Sequence, residues 1–238
     1  MVHTPNQVCP VLTRSTAKES GWLRNNGLGL VAAGLFLGCL VAQALCGWHV
    51  YNQEQLEHGQ AAVGLWPYLG SGNFSESVFE NWESEFLQIA LFVLLTKFLY
   101  QKGSSESRDP DQPEDDTDKD PRLERRKPGV PWPVRKGGLI LAVYERSLFL
   151  AMALLFVASF LLHAYGGVNN YNEEQLEHGG TTITFFQYLA TSQFWFESFQ
   201  NWQSEFLAVG ALIMFSIFLR ERGSPQSKPV AAPHAETG

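Results

Sequence analysis

Basic residues are missing from most of this chain of 238 residues. No lysine or arginine occurs between Arg24 and Lys97, or between Arg146 and Arg220. With a formal net charge of −7 as well, no nucleic-acid partner is expected. Cysteine is scarce: Cys9 stands alone, and Cys39 and Cys46 share one face of an apolar run, which gives neither a disulfide framework nor a zinc site. Also absent are a Gly-rich phosphate loop, a Ser/His/Asp or Cys/His constellation in recognisable context, and an intramembrane metal motif. The balance leans away from an enzyme, and no cofactor is predicted.

Long apolar runs are present instead. The mean hydropathy of −0.10 hides them, because charged and apolar residues are segregated. Leu28–Gly47 carries no charge and matches the roughly 20 residues a helix needs to cross a bilayer. Leu148–Tyr165 is a second run, interrupted by His163. Phe86–Tyr100 and Phe206–Leu219 are shorter, but each follows an amphipathic stretch containing Trp82 or Trp202 that extends it through the headgroup zone. Lys97 is close enough to the end of its run to snorkel to water. Four spans result.

Charge placement orients them. Basic residues fall in the N-terminal arm (Arg14, Lys18, Arg24), between Lys97 and Arg146, and in the C-terminal tail (Arg220, Arg222, Lys228). Four spans put those regions on one side, which the positive-inside rule makes the cytoplasm. The expectation is a multi-pass protein of the cell inner membrane, with the lipid bilayer as partner and both termini cytoplasmic. Trp48, Tyr51, Trp66, Trp82, Tyr165, Tyr171, Tyr188 and Trp202 then form the outer aromatic belt, with Trp22, Tyr100 and Tyr144 near the inner one. Ala42-Gln43-Ala44 resembles a signal-peptidase site, but the matching run before Tyr171 cannot be removed that way, so the first span is retained.

The chain is also a tandem duplication. YNQEQLEHG starts at Tyr51 and YNEEQLEHG at Tyr171, a shift of 120 residues. The same shift lays FENWESEFL from Phe79 on FQNWQSEFL from Phe199. The predicted fold is all-α: a four-span transmembrane helical bundle built from two parallel helix-loop-helix repeats, related by a pseudo-twofold axis along the membrane normal. Its parts are a cytoplasmic arm (1–26), repeat unit one (27–102), a disordered cytoplasmic linker (103–137), repeat unit two (138–223) and a disordered cytoplasmic tail (224–238). Gly34 and Gly38 form a Gly-x-x-x-Gly that suits a packed helix, either within the chain or in a homo-oligomer or membrane-protein complex.

Polar residues in the repeated strings are the candidate site. Nothing breaks a helix before Gly59, so Glu54, Glu57 and His58 share one broad face, as do Glu174, Glu177 and His178 in the second copy. Such clusters suit a divalent metal or a proton-titrating patch, set against plain helix capping and outer-face hydration. Glu85 and Glu205 sit where apolar runs begin and need partners at that depth, with His58–Glu85 and His178–Glu205 as candidate pairs, set against a plain polar clasp between loop and helix. Asn81-Trp82 and Asn201-Trp202 mark the interface motif. His163, whose counterpart is Gln43, is placed to hydrogen-bond across helices, and the lack of further polar groups along the spans argues against a proton pump.

At YNxEQLEHG and NWxSEFL the chain resembles a family of bacterial multi-pass membrane proteins classed as a domain of unknown function, over roughly 27–107 and 138–227. That resemblance implies membrane residence and no assigned activity. The leading expectation is an integral membrane protein, non-enzymatic, whose duplicated Glu/His-bearing outer face binds a partner, lipid or ion. The alternative is a small channel or transporter with the Glu/His clusters at its outer mouth; a metal-dependent membrane enzyme ranks last.

Overall fold

The computed structural model describes residues 21–107 and 119–237. The disorder expected for 1–20 and 108–118 lies outside the described residues. Regular structure among the described residues is entirely helical: α1 (Trp22–Glu57), α2 (Leu65–Leu69), α3 (Gly72–Leu95), α4 (Trp132–Lys136), α5 (Gly138–Tyr144), α6 (Ser147–Glu177), α7 (Phe185–Tyr188) and α8 (Ser192–Phe218). Two of them, α1 and α6, are long and apolar enough to cross a membrane. The chain divides into two compact units, Met1–Val50 and Tyr51–Gly238. The described part of the first is the apolar bulk of α1, which buries none of its side chains.

Local chemistry sets the helix ends in the second unit. Gly59 (φ 74°) and Gly179 (φ 71°) stop α1 and α6 in left-handed conformations that glycine adopts without strain. Ser71 and Thr191 cap α3 and α8 by accepting from the amides of Phe74 and Phe194. Thr184 and Gln187 form a capping box on α7.

The Tyr-Asn that opens each repeated string fastens the loop after it. Asn52 donates to the Val63 carbonyl (3.1 Å) and accepts from its amide (2.7 Å), and Asn172 does the same with Ile183 at 3.0 and 2.7 Å. Tyr51 lies against Tyr68 and Tyr171 against Tyr188, with ring centroids 5.5 and 5.9 Å apart.

Within the second unit α3 packs chiefly on α6 and less on α8. The α3–α6 crossing is tight because both helices present glycine: a Cβ on Gly72 would meet the Asn170 amide nitrogen at 2.5 Å, and one on Gly166 the Glu76 amide nitrogen at 2.5 Å. The buried apolar cluster gathers Ala164 and Val168 of α6, Tyr188 of α7 and Phe194 of α8. Farther along the same helices large apolar side chains stay open, Leu154 at 69% and Leu207 at 73% exposure.

The C-terminal tail follows α8. Its described residues form turns, held where Lys228 donates to the carbonyls of Pro233, His234 and Glu236. Ser104 and Ser216 share a 2.8 Å hydrogen bond, and the Gly103 amide donates to Thr237. In the linker, Arg125 donates to the carbonyls of Val134 and Lys136, across the short α4. Composition shows that a segment lacks a core of its own; it does not show which carbonyls a neighbouring cation will find.

Candidate functional site

The two repeated strings come together. The rings of His58 and His178 are 5.7 Å apart, edge to face, and His58 Nδ1 is 3.8 Å from Glu177 Oε2. Gln60 and Gln55 donate to Glu177 Oε1 at 2.8 and 3.5 Å. Between them opens a cleft of about 270 Å³ lined by Tyr51, Glu54, Gln55, His58, Asn73, Asn170, Glu173, Glu174, Glu177 and His178. Glu57 is exposed at the end of α1 and does not line it.

The anticipated ion pairs with α3 and α8 do not form. Among the described residues His58 pairs with Glu177, and His178 Nδ1 lies 2.8 Å from the Glu174 carbonyl. Glu85 is exposed and Glu205 half-buried, near one another rather than near either histidine. The reason is rotational: Glu83, not Glu85, is on the face of α3 that meets α6. The interface motif also splits by copy. Asn81 donates to the Ser77 carbonyl of its own helix (2.9 Å), whereas Asn201 reaches Glu80 (2.9 Å) and Trp202 reaches Glu83 (2.9 Å) on α3.

Those bonds lead to a buried polar cluster. Glu83, His163 and Tyr188 are fully buried, and Glu76 is 9% exposed. Glu83 holds His163 Nδ1 at 2.8 Å through one oxygen and accepts from Trp202 through the other. A carboxylate only accepts, so Nδ1 carries a proton. That leaves His163 Nε2, which is buried without a hydrogen-bond partner, 3.5 Å from Glu197 Oε2. The Tyr188 hydroxyl lies 3.0 Å from both Glu76 Oε1 and Glu197 Oε2, and Gln193 donates to the other Glu197 oxygen. Asn170 donates to Glu76 Oε2 at 2.8 Å. Because Asn170 also lines the cleft, it links the cleft to the buried cluster.

Electrostatics here are strained by excess negative charge. Burial pushes the Glu76 carboxyl up to about 7, with the Glu197 charge adding to it and the Tyr188 hydrogen bond and His163 opposing. Glu80 is raised for the same first reason, against its bond from Asn201. Burial, then the charges of Glu76 and Glu197, push the Tyr188 phenol up as well. A phenol has one proton to donate, so Tyr188 satisfies both carboxylates at once only if one of them carries a proton or both share a cation.

Sequence reasoning singled out Glu54, His58, Glu174, Glu177 and His178 of the cleft and noticed His163, but not Asn73 or Asn170, and missed Glu76, Glu83, Tyr188 and Glu197 as site residues. A signal existed in the differences between copies rather than the identities. At the 120-residue shift Glu76 faces Phe196, Ser77 faces Glu197, Glu83 faces Gln203 and Gln43 faces His163. The cluster's Glu76, Glu83, His163 and Glu197 are thus residues that only one copy carries, whereas Tyr188 has its counterpart in Tyr68. Chemically it can hold a proton or a cation. Comparison with curated proteins and with solved structures returns no match. A model of the family described as a domain of unknown function, DUF6766, matches residues 19–238, and the chain belongs to that family.

Proposed function

We propose that this is a four-span membrane protein of parallel repeats, both termini cytoplasmic, which binds a cation at its outer face without catalysing a reaction. The carrying observation is a charge inventory. Glu76, Glu80, Glu83 and Glu197 are buried or half-buried around His163, and Glu54, Glu173, Glu174 and Glu177 crowd the cleft above them. Positions 25–96 and 147–219 offer no lysine or arginine to neutralise them. Buried carboxylates without a basic partner take up protons or bind a cation. A one-signed cleft with low-dielectric walls also concentrates cations at its mouth.

Membrane residence is supported by the open apolar sides of α6 and α8, where Leu154, Leu161, Leu207 and Phe215 are exposed. The apolar halves of α3 and α8 serve as the second and fourth spans. A reporter fused at Gly103 should then be cytoplasmic and one at Gly180 external; the reverse result sinks the topology. Purified protein should gain thermal stability from at least one of Na⁺, K⁺, Ca²⁺, Mn²⁺ or Zn²⁺. An unchanged melting temperature with all five sinks the cation-binding reading.

The link from cleft to buried cluster through Asn170 favours a second reading, a channel or transporter with its mouth at the cleft. Proteoliposomes test it: cation flux above empty vesicles, reduced by Glu177→Gln, supports it, and its absence leaves binding alone.

A further inference from the structure

We propose that Glu76, His163 and Glu197 form a buried divalent-metal site that takes a first-row ion such as Zn²⁺ or Mn²⁺. The inference rests on the cation-binding reading above and names its ion class and ligands.

Geometry comes first. One donor atom from each of the three residues lies within 4.8 Å of the others. His163 Nε2 and Glu197 Oε2 are 3.5 Å apart. Two ligands each about 2.0–2.2 Å from a tetrahedral ion sit ~3.4 Å apart, so this pair already has the spacing of neighbouring ligands. An acidic cluster alone would mean little. The second observation is His163 itself, fully buried, with Nε2 lacking a hydrogen-bond partner and aimed at the carboxylates.

The supporting residues complete the argument. Glu83 accepts from Nδ1, which directs the Nε2 lone pair toward the cluster, as outer carboxylates do for metal-bound histidines. Trp202 holds Glu83 in turn. Tyr188 spans Glu76 and Glu197 and keeps their inner oxygens convergent, while Asn170 and Gln193 occupy their outer oxygens. An imidazole nitrogen in the set disfavours Mg²⁺ and Ca²⁺, which prefer all-oxygen sites, and suits Zn²⁺ or Mn²⁺. Asn170, which holds Glu76, also lines the cleft.

The competing arrangement is an imidazolium of His163 held between Glu83 and Glu197 with no metal. Full-length protein, stripped with chelator and titrated separately with Zn²⁺ and Mn²⁺, separates the two. The expected result is one tightly held equivalent per chain, lost in His163→Gln and in Glu197→Gln and kept in Glu177→Gln. Glu83→Gln should weaken binding by about 10- to 100-fold, the usual effect of removing an outer partner. X-ray absorption of the Zn²⁺ form should show one imidazole shell. If His163→Gln or Glu197→Gln fails to insert, Glu76→Asp, which keeps the charge but withdraws the carboxylate by one methylene, should still lower affinity. An equivalent retained in His163→Gln and Glu197→Gln but lost in Glu177→Gln places the ion in the cleft; this inference then falls while cation binding stands. Binding of neither metal, with Na⁺, K⁺ or Ca²⁺ still stabilising, likewise overturns only this inference. No response to any cation overturns both.

Discussion

Gly167 provides the most direct test of how the buried cluster is held. A Cβ at this position would come 2.4 Å from the Tyr188 hydroxyl oxygen and 2.6 Å from its Cε1. Tyr188 cannot yield easily, since it is fully buried with Phe194 and Tyr171 against its ring at centroid distances of 5.6 and 5.9 Å. In Gly167→Ala either the ring or the helix moves. Overpacking of this kind costs about 1–3 kcal/mol. If the ring moves, its contacts to Glu76 and Glu197 go too, and hydrogen bonds to charged groups are worth about 1.5–3 kcal/mol. The expected destabilisation is therefore about 1–3 kcal/mol if the helix yields and about 2.5–6 kcal/mol if the ring does. Unfolding in mixed detergent micelles would measure it, with two comparisons. Tyr188→Phe keeps the ring and removes the hydroxyl, so it should cost about 1.5–3 kcal/mol. Gly210→Ala, at a helical site with nothing within 4 Å, should be neutral or stabilising by up to about 1 kcal/mol. A Gly167→Ala protein as stable as wild type would refute the close approach of Tyr188 to α6, and with it the clamp on the two carboxylates.

Three further outcomes follow from single contacts. Asn172→Ala removes both bonds to Ile183 and should cost about 1–3 kcal/mol, visible as faster amide exchange across 180–184; unchanged exchange would show that the loop is held by something else. Trp202→Phe removes the donor to one buried oxygen of Glu83, and should cost about 1.5–3 kcal/mol in the same micelle assay; unchanged stability would show that this bond does not hold Glu83. Glu173 and Glu174, eight and nine residues past the apolar run that ends at Tyr165, are raised from 4.5 by burial and then by Glu177. Their folded-state values exceed the unfolded ones, so the stability they contribute is complete below 4.5 and is lost as pH rises through the raised values. Melting temperature without added cations should rise on acidification from neutral pH toward 4.5, and Glu177→Gln should reduce that dependence; a fall on acidification would contradict it.

The legible part of this protein was what depends on neighbours along the chain. The stop at Gly59 and Gly179, the helical run through each YNxEQLEHG string and the all-helical class follow from backbone preference and apolar period, which need only a few consecutive residues. The capping roles of Ser71, Thr184 and Thr191 depend on neighbours just as close. The two near-identical strings pointed to a site, and several of their residues do line one cleft. Identity between copies, however, mostly records shared architecture. Asn52 and Asn172 recur because each fastens its own loop, and Tyr68 and Tyr188 recur because each packs on a tyrosine eleven or more residues away.

What only the tertiary structure decided is which helix meets which, and with which face. Apolar periodicity shows that α3 has a face to bury, but not that α6, from the other copy, covers it. Close approach at Gly72 and Gly166 sets that crossing and brings Glu83 to His163, 80 positions later in the chain. Rotating α3 by the two residues that separate Glu83 from Glu85 would put a different carboxylate inside, and no local rule distinguishes them. Burial then turns ordinary glutamates into a charged cluster that needs a proton or a cation, because desolvation depends on what surrounds a group in space and not on its neighbours in sequence.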